Sequence, residues 1–157
     1  MLLDVTNGDR IRPAALMLGL AGCVPYWAAA FVVVGEFGPL SAPWVVWGII
    51  AYGAVGLGFL GGIRWGLALR PHGARRQAWE IALGTAAPLT GFAALIVPPV
   101  IGISVLIAGL LTHALWDQMC ADRGRLPVWF ARLRMVLTSL VVLPLLAVMG
   151  RLALSGA

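Results

Sequence analysis

The sequence contains no lysine; its eleven basic residues are all arginine. Acidic residues number six, and charged residues make up only 11% of the 157-residue chain, where about 25% is usual in soluble domains. The shortage of charge accompanies 61% hydrophobic residues and a mean hydropathy of +0.96, against roughly 45–50% apolar in soluble domains. A soluble fold could not hide that much apolar surface, so the solvent of this chain is lipid. Disorder is excluded on the same ground, because disordered segments lack what this chain has in excess.

Cysteine is scarce too. Cys23 and Cys120 stand far apart with no CxxC or Cys/His spacing, which suggests neither a structural zinc nor a disulfide framework. They read as one small residue buried in an apolar run and one reduced thiol in a basic loop. No metal or cofactor is expected. The net charge of +5 does not point to nucleic acid, because the arginines fall in short clusters between apolar runs and do not form one basic face. Nucleophile triads, paired catalytic carboxylates and phosphate loops are also missing. Gly61-Gly62 follows no strand and carries no Lys-Ser/Thr, so the reading leans away from an enzyme.

What is present are long apolar runs. A helix needs about 20 apolar residues to cross a bilayer core, and reading for that length predicts an all-α polytopic bundle of five transmembrane helices in one domain. The spans are expected near 13–34, 44–69, 79–97, 99–116 and 134–154, the last beginning at Pro127 or Arg134. Pro98-Pro99 divides the third from the fourth, since consecutive prolines remove two donors and restrict the preceding residue. Arg10 and Arg12 lead the first run, and the apolar stretch continues through Phe31-Val32-Val33-Val34 beyond the small residues 28–30. That continuation favours an uncleaved first span over a signal peptide.

Arginine placement predicts orientation. Connectors with Arg10 and Arg12, with Arg70, Arg75 and Arg76, and with Arg123, Arg125 and Arg132 alternate with connectors that have no base, one of which holds Glu36. The N-terminus is therefore expected inside and the C-terminus outside. The corresponding location is a bacterial inner membrane, or a mitochondrial inner membrane in a eukaryote.

Within the second span, Ala54, Gly58, Gly62 and Gly66 recur every four residues. Small residues let helix backbones approach in lipid, so this ridge is expected to be the packing face, with Gly62→Leu destabilising the fold. Pro25, Pro88 and Pro144 are expected to kink their helices. Arg64, Glu80, His113, Asp117 and Arg134 are the ionisable residues in or near the spans, all toward the inner leaflet. Arg64 lies six residues before Arg70, about 9 Å deeper at 1.5 Å per residue. His113 and Asp117, four apart, share a helix face.

Two readings of this cluster stay open. In one, the arginines fix topology by snorkelling, Asp117 is solvated at a helix end and His113 donates to a backbone carbonyl. In the other the charges neutralise one another, with Arg64–Asp117 as the leading pair, and serve as a proton relay or a site for an anionic headgroup. Exchanging Arg64 and Asp117 is expected to restore part of the folding that each single change loses. Trp65, Trp116 and Trp129 lie near span ends and read as interfacial anchors. The stretch Leu126-Pro127-Val128-Trp129-Phe130 reads as an interfacial turn able to dock a partner or lipid.

The motifs "LGLAGCVPY", "YGAVGLGFLGGIRWGLAL", "LWDQ" and "LPVWFARLRMVLTSLV" together resemble the transmembrane protein 69 family, small multi-span proteins with a domain of unknown function. The resemblance covers nearly the whole chain. It implies Gly61, Gly62, Arg64, Trp65, Gly66, Trp116, Asp117, Pro127, Trp129 and Arg134 as signature positions, and carries no activity. The favoured functional reading is a structural, accessory or assembly component of a membrane complex. The alternative is an oligomeric small-solute or proton transporter or channel using Arg64, His113 and Asp117. A lipid-modifying enzyme lacks the acid pairs or metal ligands such chemistry needs. The expected partners are the lipid bilayer and either another membrane protein or further copies of the chain.

Overall fold

A computed structural model describes residues 10–35, 37, 43–69 and 73–155. Glu36 and Arg70, two of the residues that mark the alternation of charge, lie outside the described residues. The chain forms five helices: α1 Pro13–Val34, α2 Pro43–Ala68, α3 Ala74–Leu95, α4 Pro99–Asp122 and α5 Val128–Leu154. Among the described residues there is no strand. Four helices, α1, α2, α4 and α5, are long and apolar enough to cross a membrane. The helix α3 has the same 22-residue length as α1, but Arg75, Arg76 and Glu80 occupy its first two turns and lower its apolar content.

Prolines set the helix starts. Pro13, Pro43 and Pro99 open α1, α2 and α4, and Pro127 directly precedes α5, positions where a missing N–H costs nothing and a fixed φ is already helical. After α4 the chain turns at Gly124, whose φ of 66° places it in the left-handed region. There the Gly124 N–H donates to Ala121 O and the Arg125 N–H to Cys120 O, both at 2.8 Å, a glycine-terminated helix end. The interior prolines Pro25, Pro88 and Pro144 interrupt no helix.

Each helix runs antiparallel to the next in the chain, and α2 packs most extensively on α3. The starts of α1, α3 and α5 and the ends of α2 and α4 therefore share one end of the bundle. Arg12, Arg75, Arg76, Arg123, Arg125 and Arg132 all belong to that basic end. The core is aliphatic, with Ile50, Leu57, Ile103, Leu106, Leu145 and Val148 essentially inaccessible, while Met17, Leu18, Phe59, Phe92 and many other large apolar residues face outward. A surface of that kind suits a lipid solvent.

The helix boundaries differ from the sequence expectation at the basic end. The fourth helix continues six residues past 116 to Asp122, and the fifth begins at Val128, directly after Pro127, the earlier of the two expected starts. Polar residues in those turns lower hydropathy without breaking backbone hydrogen bonding. Asp117, Cys120 and Arg134 consequently lie within helices.

The packing face of α2 also differs from expectation. Gly62 and Gly66 are exposed, and a Cβ at either would meet nothing within 4 Å; Gly58 comes no nearer than 4.0 Å to Pro88. The close approach is at Gly61, where a Cβ would run into the Gly84 carbonyl oxygen and lie 3.1 Å from Pro88 Cδ. Further along, Ala54 faces Gly91, Trp65 covers Gly84, and the Ala68 carbonyl accepts from Gln77 Nε2 at 3.1 Å. The seam therefore runs 54, 58, 61, 65, 68, alternating steps of four and three. A four-residue step overshoots a full turn by about 40°, so a ridge of fours leaves the interface after two steps. Only a 3.5-residue average keeps facing the neighbouring helix.

This geometry separates two adjacent glycines. Gly61→Ala is expected to destabilise the protein by about 1–3 kcal/mol through overpacking. Gly62→Ala and Gly66→Ala should be neutral or gain up to about 1 kcal/mol of helix propensity. Denaturant unfolding in detergent, followed by circular dichroism, measures the difference; equal effects at 61 and 62 would contradict the seam.

A buried charge network as candidate functional site

Toward the basic end, α2, α3, α4 and α5 each send one charged side chain into the interior. Arg64, Glu80, Asp117 and Arg134 are only 2%, 5%, 5% and 8% exposed. Nη1 of Arg64 donates to Glu80 Oε2 at 3.0 Å and reaches Cys120 Sγ at 3.7 Å, while its Nη2 donates to Asp117 Oδ1 in the tightest contact of the set. The second oxygen of Asp117 accepts from Arg134 Nε at 3.1 Å. The guanidinium of Arg64 lies 5.9 Å from the centroid of the Trp116 ring, within cation–π range.

The backbone explains this convergence. Trp65 and Gly84 let α2 and α3 approach around Arg64, since a Cβ on Gly84 would lie 2.6 Å from Trp65 Cδ1 and 3.2 Å from Arg64 Cβ. Asp117 and Cys120, three apart on α4, present one face to α2, and Ala121, Leu126 and Ala131 cover them from the end of the bundle. The planar fork of Arg64 can address two acids at once, which a lysine ammonium does less well in fixed geometry.

Of the expected cluster, Arg64, Glu80, Asp117 and Arg134 are joined directly. His113 is buried one turn before Asp117, close enough to interact electrostatically with Arg64, Asp117 and Arg134, but makes no direct bond to them. Asp117 is not solvated at a helix end, as one sequence reading supposed. Cys120 is not a loop thiol: it is 2% exposed inside α4. Trp65 is exposed and its Nε1 donates to Thr85 Oγ1 at 3.3 Å, a placement open to lipid. Trp116 and Trp129 are half-buried; Trp116 walls the network, and Trp129 receives the Arg12 guanidinium at 5.3 Å. Sequence reasoning missed Cys120 and Thr138. Their signal was spacing, three residues after Asp117 and four after Arg134. Thr138 is buried, and neither its Oγ1 nor Arg134 Nη2 has a partner among the described residues.

Two arginines and two acids give a neutral set. Burying an isolated charge in a low-dielectric interior is costly, and the mutual pairing offsets that cost only while the set is whole. Both Asp117 oxygens are engaged. Among the described residues no group of His, Cys, Asp and Glu could hold a metal ion.

Residues 11–150, which include the whole network, match the family described as a protein of unknown function, DUF3429. The chain belongs to this family. It is also similar to Transmembrane protein 69 of Xenopus tropicalis, at 34% identity over 141 residues, covering 87% of this chain and 53% of that protein. The chain thus spans about half the length of this curated relative. No solved structure matches. The buried network and the Gly61 seam are therefore features of a DUF3429 chain built from membrane-type helices.

Because Asp117 serves two arginines, Asp117→Asn is expected to destabilise the fold by about 3–5 kcal/mol, the usual cost of stranding a buried charge. Replacing the four together (Arg64→Met, Glu80→Met, Asp117→Leu, Arg134→Met) should cost far less, since no unpaired charge remains. Exchanging only Arg64 and Asp117 should not restore stability, because the moved arginine would meet Arg134 and the moved aspartate Glu80. Unfolding titrations of the three variants decide it; an Asp117→Asn protein as stable as the parent would mean the network is not a lock.

Proposed function

We propose that this protein is a structural or assembly component of a membrane complex, not a carrier of solute or protons. The observation that carries the reading is the pairing of the network's buried charges with one another. A cleft at the basic end reaches Glu80 and Trp116, but the void beside Arg64 is only about 20 Å³, room for about one water. On the α1 side a mainly apolar groove of about 380 Å³, lined in part by Tyr26, Tyr52 and Leu137, touches Arg134, and Asp117 is not in the described lining of either the cleft or this groove.

The outer surface supports the same reading. Gly62 and Gly66, turned away from α3, leave a small-residue strip on the outside of α2, the feature over which membrane helices associate. An apolar groove of about 420 Å³ between α1 and α2, lined in part by Ala28, Val32, Trp44, Gly48 and Tyr52, adds a second outward concavity. Orientation with the basic end cytoplasmic, in a bacterial inner membrane or on the matrix side of a mitochondrial one, follows from the bias of arginine to inner loops and belongs to this proposal.

Purification in mild detergent tests the role. The protein should co-isolate with another membrane protein at fixed stoichiometry. The double variant Gly62→Leu/Gly66→Leu should lose that partner while unfolding like the parent. Isolation solely as copies of itself, together with solute or proton flux in proteoliposomes, would contradict the reading and favour transport through the Arg64, His113 and Asp117 region.

A further inference from the structure

Of the basic-end arginines outside the buried network, three come together. Arg75 and Arg76 lie in the first turn of α3, and Arg125 in the turn after α4. Antiparallel packing of α3 and α4 brings them to one cleft of about 820 Å³, whose described lining also includes Trp79, Leu83 and Trp116. That volume is in the range of small-molecule sites, roughly 300–1,000 Å³. The Glu80 carboxylate forms part of its wall, but Arg64 pairs with it at 3.0 Å. Among the described lining, the remaining charge is therefore that of three guanidinium groups.

The lining is divided by chemistry. Arginine forks match the oxygens of a phosphate, giving paired charge-assisted hydrogen bonds. The two indoles and Leu83 supply an apolar wall beside them, with Trp79 exposed at the cleft. Nε of Arg76 and Nε1 of Trp116 are buried without a partner among the described residues, two donors an anionic acceptor could satisfy. A cation is disfavoured by the charge, and a purely apolar ligand would leave the guanidinium groups unmet. Tryptophan and arginine together at a helix end also fit the headgroup layer of a bilayer.

We propose that this cleft is a receptor for a phosphate group, supplied by the headgroup of an anionic phospholipid whose glycerol and upper chain lie against Trp79, Leu83 and Trp116. The arginines bind the phosphate and the indoles select an amphiphile over the free ion. The site depends on no partner protein, so its test and that of the assembly role can fail separately.

Native mass spectrometry of the delipidated full chain tests it, with phosphatidylglycerol or phosphatidylcholine added at equal concentration and with inorganic phosphate as competitor. Phosphatidylglycerol should be retained over phosphatidylcholine, and Arg75→Gln/Arg76→Gln/Arg125→Gln should weaken its binding by roughly a hundredfold, on the scale of a tenfold or smaller loss per arginine. Leu83→Trp, which fills the cleft and keeps every charge, should also abolish the preference. Circular dichroism melting monitors folding of both variants, and the wild-type comparison stands if either fails to fold. Equal retention of the two lipids, or a preference surviving both variants in folded protein, would overturn the site. Displacement by equimolar inorganic phosphate would overturn the lipid as its source.

Discussion

The structure depends on one carboxylate. Asp117 accepts from Arg64 with one oxygen and from Arg134 with the other, and so ties α4 to both α2 and α5. Through the second branch of Arg64, Glu80 brings α3 into the same set. Hydrophobic attraction between helices is weak in lipid, where the surroundings are as apolar as the side chains. A neutral, mutually paired charge set is direction-specific in a way that aliphatic packing is not. It fixes the rotation of four helices about their axes at the end where the aliphatic core gives way to Cys120, Ala121, Leu126 and Ala131.

That constraint explains the glycines beside it. Arg64 can reach Glu80 only if the α2 and α3 backbones meet closely, and Gly61 and Gly84 are where they do. The arginine and its glycine neighbours are thus parts of one arrangement, as the stretch Gly61-Gly62-Ile63-Arg64 suggests. Charge satisfied inside the bundle also shapes what the outside can offer. The faces left over are an outward glycine strip, an apolar groove and a cationic cleft.

The members of the network were legible in the sequence because an ionisable residue in an apolar run is rare, so Arg64, Glu80, Asp117 and Arg134 marked themselves, as did the neighbouring His113. The depth of Arg64 followed from its distance to the helix end, but that of Asp117 did not. The exact seam was not legible. Ala54, Gly58, Gly62 and Gly66 form the more regular pattern by eye, but a four-residue period rotates off the interface, and Gly61 belongs to a less regular one. The end of α4 was misread where Asp117 and Asp122 lowered hydropathy without ending the helix, whereas of the two starts expected for α5 the one at Pro127 holds. The cleft was invisible for a different reason: Arg76 and Arg125 are far apart in sequence, and only the packing of α3 against α4 brings them together.

Arg64 and Arg134 are both buried and both paired with Asp117. Hydrogen exchange of arginine side-chain N–H groups, followed by nitrogen-15 NMR in detergent, tests this arrangement most directly, and eleven arginines without a lysine keep the spectrum simple. The Arg64 and Arg134 signals should exchange far more slowly than those of Arg75, Arg123 and Arg132, and Asp117→Asn should abolish the protection. Exchange of Arg64 and Arg134 as fast as the surface arginines would contradict it.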